Sequence, residues 1–414
     1  MDMDQALPST GTGTGTHIGP VFLTILFTGY IAATYGFGVY LFPALMPDMI
    51  ADFAIGYGGA GTIASLTQVG FLVSSLVSGL MTEKIGATRL VNLSMLVCVA
   101  CLGLVPLAPN AFCLAVLLII MGATSASVWV PMVAIAKLSI PARHQGKALG
   151  LMSSGTAYGL FVNGFSIPLL LPAHGWHMVW TLSAGLSGVL LVIGLLALRG
   201  AVKAPGRREP APANAGGGVP YRQMLLDPRN LLIPGMMFLS GIAAMPSQNY
   251  LVALVQDELG YGVDAAANIW KAIGFIGMFG GFAMGIVADY ITVRRALALS
   301  YAFLAVAVGT FLHHGTLAEI YLGAALFGLA FNAIFGLIPA YVSLTYPARM
   351  TAPIFGFSNV MLGLGAMAGN MIGGLTKEAT GSFQTSYALA AGTVVVLFLV
   401  TLMLRGETRS KVSA

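Results

Sequence analysis

A single lysine, Lys271, stands well inside a long apolar run, one residue after Trp270 and apart from the clusters that hold most other cations of this chain. In this and other apolar runs lie neutral polar or aromatic side chains: Tyr30, Thr34, Tyr35 and Tyr40, then Gln68, Trp129, Tyr158 and Asn163, then Gln248, Asn249, Tyr250, Asn332 and Asn359. Amides, hydroxyls and an ammonium can hold a polar or anionic solute by hydrogen bonds and charge. Each amide or tyrosine has a second reading, a hydrogen bond between packed helices. No nucleophile elbow, phosphate-binding loop or zinc-protease pattern occurs in the sequence. GYGGAG, Gly56 to Gly61, matches a dinucleotide glycine pattern but follows no strand, so it reads as a turn entering a helix. His174 and His177 lack a third ligand nearby, and Cys98, Cys101 and Cys113 lack metal-site spacing. Neither enzyme activity, cofactor nor metal site is expected.

The runs that must position these residues fix the class. Only 8% of the 414 residues are charged and 57% are hydrophobic, against about 25% charged in a soluble domain. A soluble fold would leave too much apolar surface in water. The expectation is an all-α integral membrane protein. A crossing helix needs about 20 residues for a hydrocarbon core of roughly 30 Å. Suitable runs cover 20–44, 57–81, 88–108, 111–137, 145–171 and 176–199, then 229–255, 264–289, 295–314, 316–344, 351–377 and 382–404. Twelve expected transmembrane helices thus fall in two groups of six. Between them AVKAPGRREPAPANAGGGVPYRQ, residues 201–223, reads as a flexible connector. The expected division is a disordered N-terminus at 1–19, a six-helix bundle at 20–199, a linker at 200–228, a second bundle at 229–404 and a tail at 405–414.

Charge sets the expected orientation. With both termini cytoplasmic, inner loops and helix ends collect 17 of the 19 Lys and Arg, all but Lys271 and Lys377. The opposite side collects Asp48, Asp52, Asp257, Glu258, Asp264, Glu319 and Glu378. This bias follows the positive-inside rule. The net charge of +5 therefore describes topology, and no basic stripe with interleaved aromatics suggests nucleic acid. The N-terminal segment has no basic n-region, and the apolar run after it is too long for a signal-peptide core, so no cleavage is expected. Short loops and overall size suggest a multi-pass protein of a bacterial inner membrane, working as a monomer with the lipid bilayer around it.

One phrase occurs twice. Pro141-Ala142-Arg143 returns as Pro347-Ala348-Arg349, an offset of 347 − 141 = 206. The same offset takes Gly79 to Gly285, Glu83 to Asp289, Arg89 to Arg295, Gly122 to Gly328, Gly150 to Gly356 and Gly159 to Gly365. The halves read as structural duplicates, an arrangement common in secondary transporters. Gly79 and Gly285 would let helices approach closely near their cytoplasmic ends. Glu83 and Asp289 could pair with Arg143 and Arg349, a latch closing the inner side; alternatively these arginines only fix topology.

GLMTEKIGATR (Gly79 to Arg89) and GIVADYITVRR (Gly285 to Arg295) resemble the loop motif between the second and third helices of major facilitator superfamily transporters, Gly-x-Leu-Ala-Asp-Arg-x-Gly-Arg-Arg/Lys. The motif acid falls at Glu83 and Asp289; the motif glycine is kept at Gly86 and replaced by Thr292. HGWHMVW, from His174, resembles the Gly-Trp-Arg that often opens the family's sixth helix. The resemblance covers nearly the whole chain and implies two pseudo-symmetric six-helix bundles working by alternating access. It also implies a cavity lined by the first, fourth, seventh and tenth helices. That favours Tyr35, Trp129, Gln248, Asn249 and Asn332 as substrate contacts.

Lys271 lies 289 − 271 = 18 residues before Asp289, roughly 27 Å along a helix. That depth allows snorkelling to the outer interface. It also lies within about 60° of a stripe of Gly274, Met278, Gly281 and Gly285, which would turn it toward other helices and an anion. Monocarboxylate and oxalate carriers resemble the chain in plan, yet their eighth-helix arginine, eight residues before the motif acid, corresponds here to Gly281. The expected function is uptake of a small organic anion, a monocarboxylate or aromatic acid, with a proton as candidate coupling ion. Every acid lies at the end of an expected span or in a loop, so coupling would run through helix-end acids such as Asp48 or Asp264. The alternative is efflux of a drug or metabolite. Against it, GTAYGLFVNG (Gly155 to Gly164) keeps three glycines of the drug-antiporter pattern but has Leu160 for its proline, and MGATSASVWV carries no arginine.

Overall fold

The computed structural model describes residues 19–198 and 228–405; the expected tails and most of the expected linker lie outside them, as do the side chains of Arg143 and Arg349. Among the described residues the chain is helical, without strands. The long helices are α1 (Pro20–Phe37), α2 (Tyr57–Ile85), α3 (Ala87–Leu104), α4 (Ala111–Ser139), α5 (residues 155–174) and α6 (residues 176–198). They continue as α7 (Leu232–Asn249), α8 (Val263–Ile291), α9 (Val293–His313), α10 (Leu317–Thr345), α11 (Ala348–Thr380) and α12 (Gln384–Met403).

The apolar stretch Lys147–Leu198 runs for 52 residues, which at 1.5 Å each is about 78 Å. One crossing of a ~30 Å core cannot use that length. Gly175, at φ 70° and ψ 176°, turns the chain back between α5 and α6, a conformation glycine adopts at little cost. Counting both arms, and α7 with its bent extension Leu251–Glu258 as one span, fits the expected twelve.

Two expected spans are broken instead of straight. The first expected span reaches 44, but α1 ends in a π-helical stretch, Ala32–Phe37, and the chain breaks at Tyr40 (φ −97°, ψ −5°). α7 stops at Tyr250 with nearly the same dihedrals (φ −100°, ψ 4°) and resumes at an angle of 44°. Each break is a Tyr-Leu pair, Tyr40-Leu41 and Tyr250-Leu251. Hydropathy does not register these breaks, because apolar residues continue across them.

The duplication is visible in the backbone. Pro141 and Pro347 precede their helices at φ −53°, ψ 138° and φ −56°, ψ 144°. Gly86 and Thr292, between α2/α3 and α8/α9, share φ 87°, ψ 144° and φ 111°, ψ 149°. Thr292 thus occupies a backbone region that a β-branched residue rarely enters.

Small residues set the helix crossings. A Cβ added at Gly36 would sit 2.4 Å from the Gly159 Cα, and one at Gly159 would sit 2.5 Å from the Gly36 Cα. Gly365 stands equally close to α7, with the Phe238 carbonyl 2.0 Å from such an atom. Gly122 meets the Thr67 carbonyl of α2 and Gly328 the Ile273 carbonyl of α8. The pairs related by 206 residues therefore do the same work in each half. Between halves, α2 lies along α11 and α5 along α8.

Candidate functional site

Twelve crossings, which the helices fit, would put both described ends of the chain on one side, here called the terminal side. The halves are joined at the opposite, far side. At the first turn of α2 the Gly58 N–H donates to Glu378 Oε2 of α11 at 2.7 Å, a carboxylate resting on the positive end of a 29-residue helix. The neighbouring Tyr57 hydroxyl donates to Asp257, in the extension of α7. Deeper, Ser65 Oγ donates to the Met367 carbonyl at 2.8 Å, and Gly61 packs under the Tyr250 hydroxyl and the Asn370 carbonyl. Glu258 braces this end within the second half: Lys377 Nζ lies 2.7 Å from its Oε1, and Ser382 Oγ donates to its Oε2 at 3.1 Å.

Asp48, in the short helix Met46–Phe53, belongs to the same far-side cluster. Burial pushes its carboxyl above the ordinary carboxylate range; a backbone hydrogen bond opposes the shift, and the charges of Asp52 and Asp257 add to it. Asp52 accepts from the Trp176 indole N–H at 2.5 Å, at the head of α6. Asp257 and Glu378, which the sequence assigned only to topology, thus tie the two halves together at this end.

Beneath this closure sit two expected substrate contacts. Gln248 is fully buried, and neither its Nε2 nor its Oε1 has a partner. A buried amide without partners costs about 1–3 kcal/mol, which makes Gln248 a candidate for a polar ligand. Asn249 Nδ2 donates to Asn370 Oδ1 at 2.9 Å, leaving Asn249 Oδ1 and Asn370 Nδ2 unpartnered. Asn163 of α5 donates to the Gly36 carbonyl at 2.9 Å, in the π-helical stretch of α1, and keeps Oδ1 free of partners. Asn370 carried no signal in the sequence beyond being an amide in an apolar run. The remaining contacts are half-buried. Tyr35 meets Phe71 edge-on with centroids 6.1 Å apart, Trp129 packs against the core, and Asn332 donates to its own helix at Gly328, 3.2 Å away.

Lys271 is not among them. Its backbone and Cβ press on Gly164, where an added Cβ would lie 2.6 Å away. Its ammonium donates to Asn268 Oδ1 at 2.9 Å and lies 4.0 Å from the Phe165 ring centroid. Both partners are exposed on the outer flank of the α5–α8 seam. The stem faces the other half, as the glycine stripe suggested, while the ammonium and both its partners lie on the exposed flank of the seam.

At the terminal side the expected latch is not seen among the described residues, which leave out the side chains of Arg143 and Arg349. Glu83, Arg89, Asp289 and Arg295 are exposed, and among the described residues none of them forms an ion pair. Gly79 and Gly285 have no atom within 4 Å of an added Cβ. Among the described residues neither glycine makes the close approach expected there.

Residues 26–313 match the family model described as Major Facilitator Superfamily. The chain is 24% identical to a gallate transporter of Pseudomonas putida, over 85% of this chain and 83% of that protein. It is 21% identical to the 4-hydroxybenzoate transporter PcaK of Acinetobacter baylyi (strain ATCC 33305 / BD413 / ADP1), over 92% and 90%. The fold superposes on a crystal structure of the nucleoside transporter NupG with a TM-score of 0.75 at 13% identity, covering 93% of this chain and 98% of that one. This chain is a multi-pass membrane transport protein that belongs to the major facilitator superfamily.

Proposed function

We propose that the chain carries a small organic anion, with an aromatic monocarboxylate as the best-supported cargo, inward across a bacterial inner membrane by alternating access. The observation that carries this reading is the likeness, over most of the chain, to transporters named for gallate and 4-hydroxybenzoate. The polar side chains fit such a cargo. Gln248 Nε2, the Tyr35 hydroxyl and the Trp129 indole N–H are donors that could face a carboxylate, and the two rings could flank an aromatic one. Asn249 and Asn332 add amides at the far-side closure and at the α8–α10 contact.

In this reading the terminal side is cytoplasmic and the structure is one of two alternating states. In the other, the far-side contacts of Glu378 and Asp257 part, and Glu83 and Asp289 close the cytoplasmic end with Arg143, Arg349, Arg89 and Arg295. A proton is the coupling ion, taken up by far-side acids such as Asp48 while they face outward. The protein acts as a monomer in the bilayer, with its small-molecule substrate as partner and two six-helix bundles, 20–199 and 229–404, as its moving parts.

Uptake of labelled carboxylates into proteoliposomes, with and without an inside-alkaline gradient, tests this. Accumulation of an aromatic acid that rises with the gradient supports it. Uptake of none of the acids under either condition overturns it and moves the weight to efflux or a neutral cargo.

A further inference from the structure

Lys271 is a cation without an acid: among the described residues its ammonium meets only the Asn268 amide and the Phe165 ring. Below it an aromatic ladder descends the seam between the halves. Phe165 stacks edge-on with Phe161 at 5.0 Å, Phe161 lies 5.8 Å from Phe275, and Phe275 lies 5.7 Å from Phe279. Phe165, Phe275 and Phe279 are about half exposed, and Phe282 is 72% exposed.

Asn268, Phe275, Phe279 and Phe282 fall within about 60° on the wheel of α8. That face points away from the stripe of Gly277 and Gly280, which packs on α10. It therefore looks into the bilayer. α8 has 29 residues, about 43 Å, and overshoots a ~30 Å core by roughly 6 Å at each end. Lys271 comes 271 − 263 = 8 residues after Val263, about 12 Å down the helix, so its Cα lies roughly 6 Å below the hydrocarbon boundary. A lysine stem spans that depth and delivers the charge to the headgroup level.

We propose that the outer flank of the α5–α8 seam binds an anionic phospholipid of the far-side leaflet. The phosphate sits on the Lys271 ammonium and the Asn268 amide, and one acyl chain lies along Phe165, Phe161, Phe275 and Phe279. The argument for this occupant is charge complementarity at headgroup depth above an apolar track at acyl-chain depth. The site is composite, with Phe161 and Phe165 from the first half and Lys271, Asn268 and the remaining rings from the second. It is intact only while Gly164 rests on Lys271 and Phe161 on Gly274, so a lipid bound here favours the state with the far side closed.

The test is native mass spectrometry of the purified full-length protein after delipidation, titrated with phosphatidylglycerol or phosphatidylcholine of equal chains. One tightly held phosphatidylglycerol is expected, preferred over phosphatidylcholine by about fivefold. Lys271→Gln removes the preference, Lys271→Arg keeps it, and Phe275→Ala weakens retention of the anionic lipid. A thermal melt of each variant reports folding independently. Equal binding of the two lipids overturns the proposal, as does a preference that survives Lys271→Gln. So does a dimer seated on this seam, or a Lys271→Gln protein that keeps its lipid preference yet loses carboxylate uptake.

Discussion

Gln248 carries the sharpest residue-scale prediction. Replacing a buried, unpartnered amide with an apolar side chain of similar size removes a desolvation cost. Gln248→Leu is expected to match or exceed the parent in thermal midpoint while losing most uptake; lower stability with uptake intact would show a packing residue instead. Asp48 gives a prediction in pH. Because burial raises its pKa, the folded protein binds that proton more readily than the unfolded chain. Its contribution to stability therefore improves as pH falls through the raised value and is complete below the ordinary value of 3.8. Asp48→Asn should melt higher than the parent at pH 7, and the gap should narrow on acidification; a pH-independent gap would contradict this. The identity of Gln248 as a candidate was legible in the sequence, since an amide in an apolar run needs a reason. The direction of the Lys271 charge was not, because a helical wheel places the stem, whereas four rotatable bonds and a neighbouring ring place the ammonium.

At the scale of elements, the repeated glycines separate into two kinds. Gly122, Gly159, Gly328 and Gly365 lie where helices cross at backbone distance, whereas Gly79, Gly150, Gly285 and Gly356 face open space. Gly159→Val should cost about 1–3 kcal/mol or more through overpacking at α1–α5. It should be read as a lower melting midpoint or lost folded yield, while Gly150→Ala should leave both unchanged. Equal effects from the two would contradict this assignment. The offset of 206 residues exposed these pairs because two halves under the same packing rule keep small residues at the same crossings. The breaks at Tyr40 and Tyr250 follow a different offset, 250 − 40 = 210, and leave no mark within continuous apolar sequence. They matter to the site, since they swing Asp48, Asp257 and Glu258 over the far end.

For the whole molecule, the fold class was readable from charge depletion, run lengths and the paired loop motif. Which end the halves clasp was not, because every apolar run is compatible with closure at either end. The structure has the far side closed, so a cysteine at Gly79 or Gly285, in a background without Cys98, Cys101 and Cys113, should react with an impermeant maleimide from the terminal side. Glu378→Ala, by removing the carboxylate from the α2 terminus, should raise labelling of far-side positions and lower it at 79 and 285. Unchanged labelling at both ends would show that this clasp does not hold the halves.

Transport of an aromatic acid past Gln248 is the proposed activity of this superfamily member. It is checked by counterflow: proteoliposomes loaded with unlabelled gallate or 4-hydroxybenzoate, diluted into the labelled acid, for the parent and Gln248→Ala. Transient accumulation of label by the parent, sharply reduced in Gln248→Ala, is the predicted result. No counterflow of any aromatic acid by a folded parent, or full counterflow by Gln248→Ala, would contradict it.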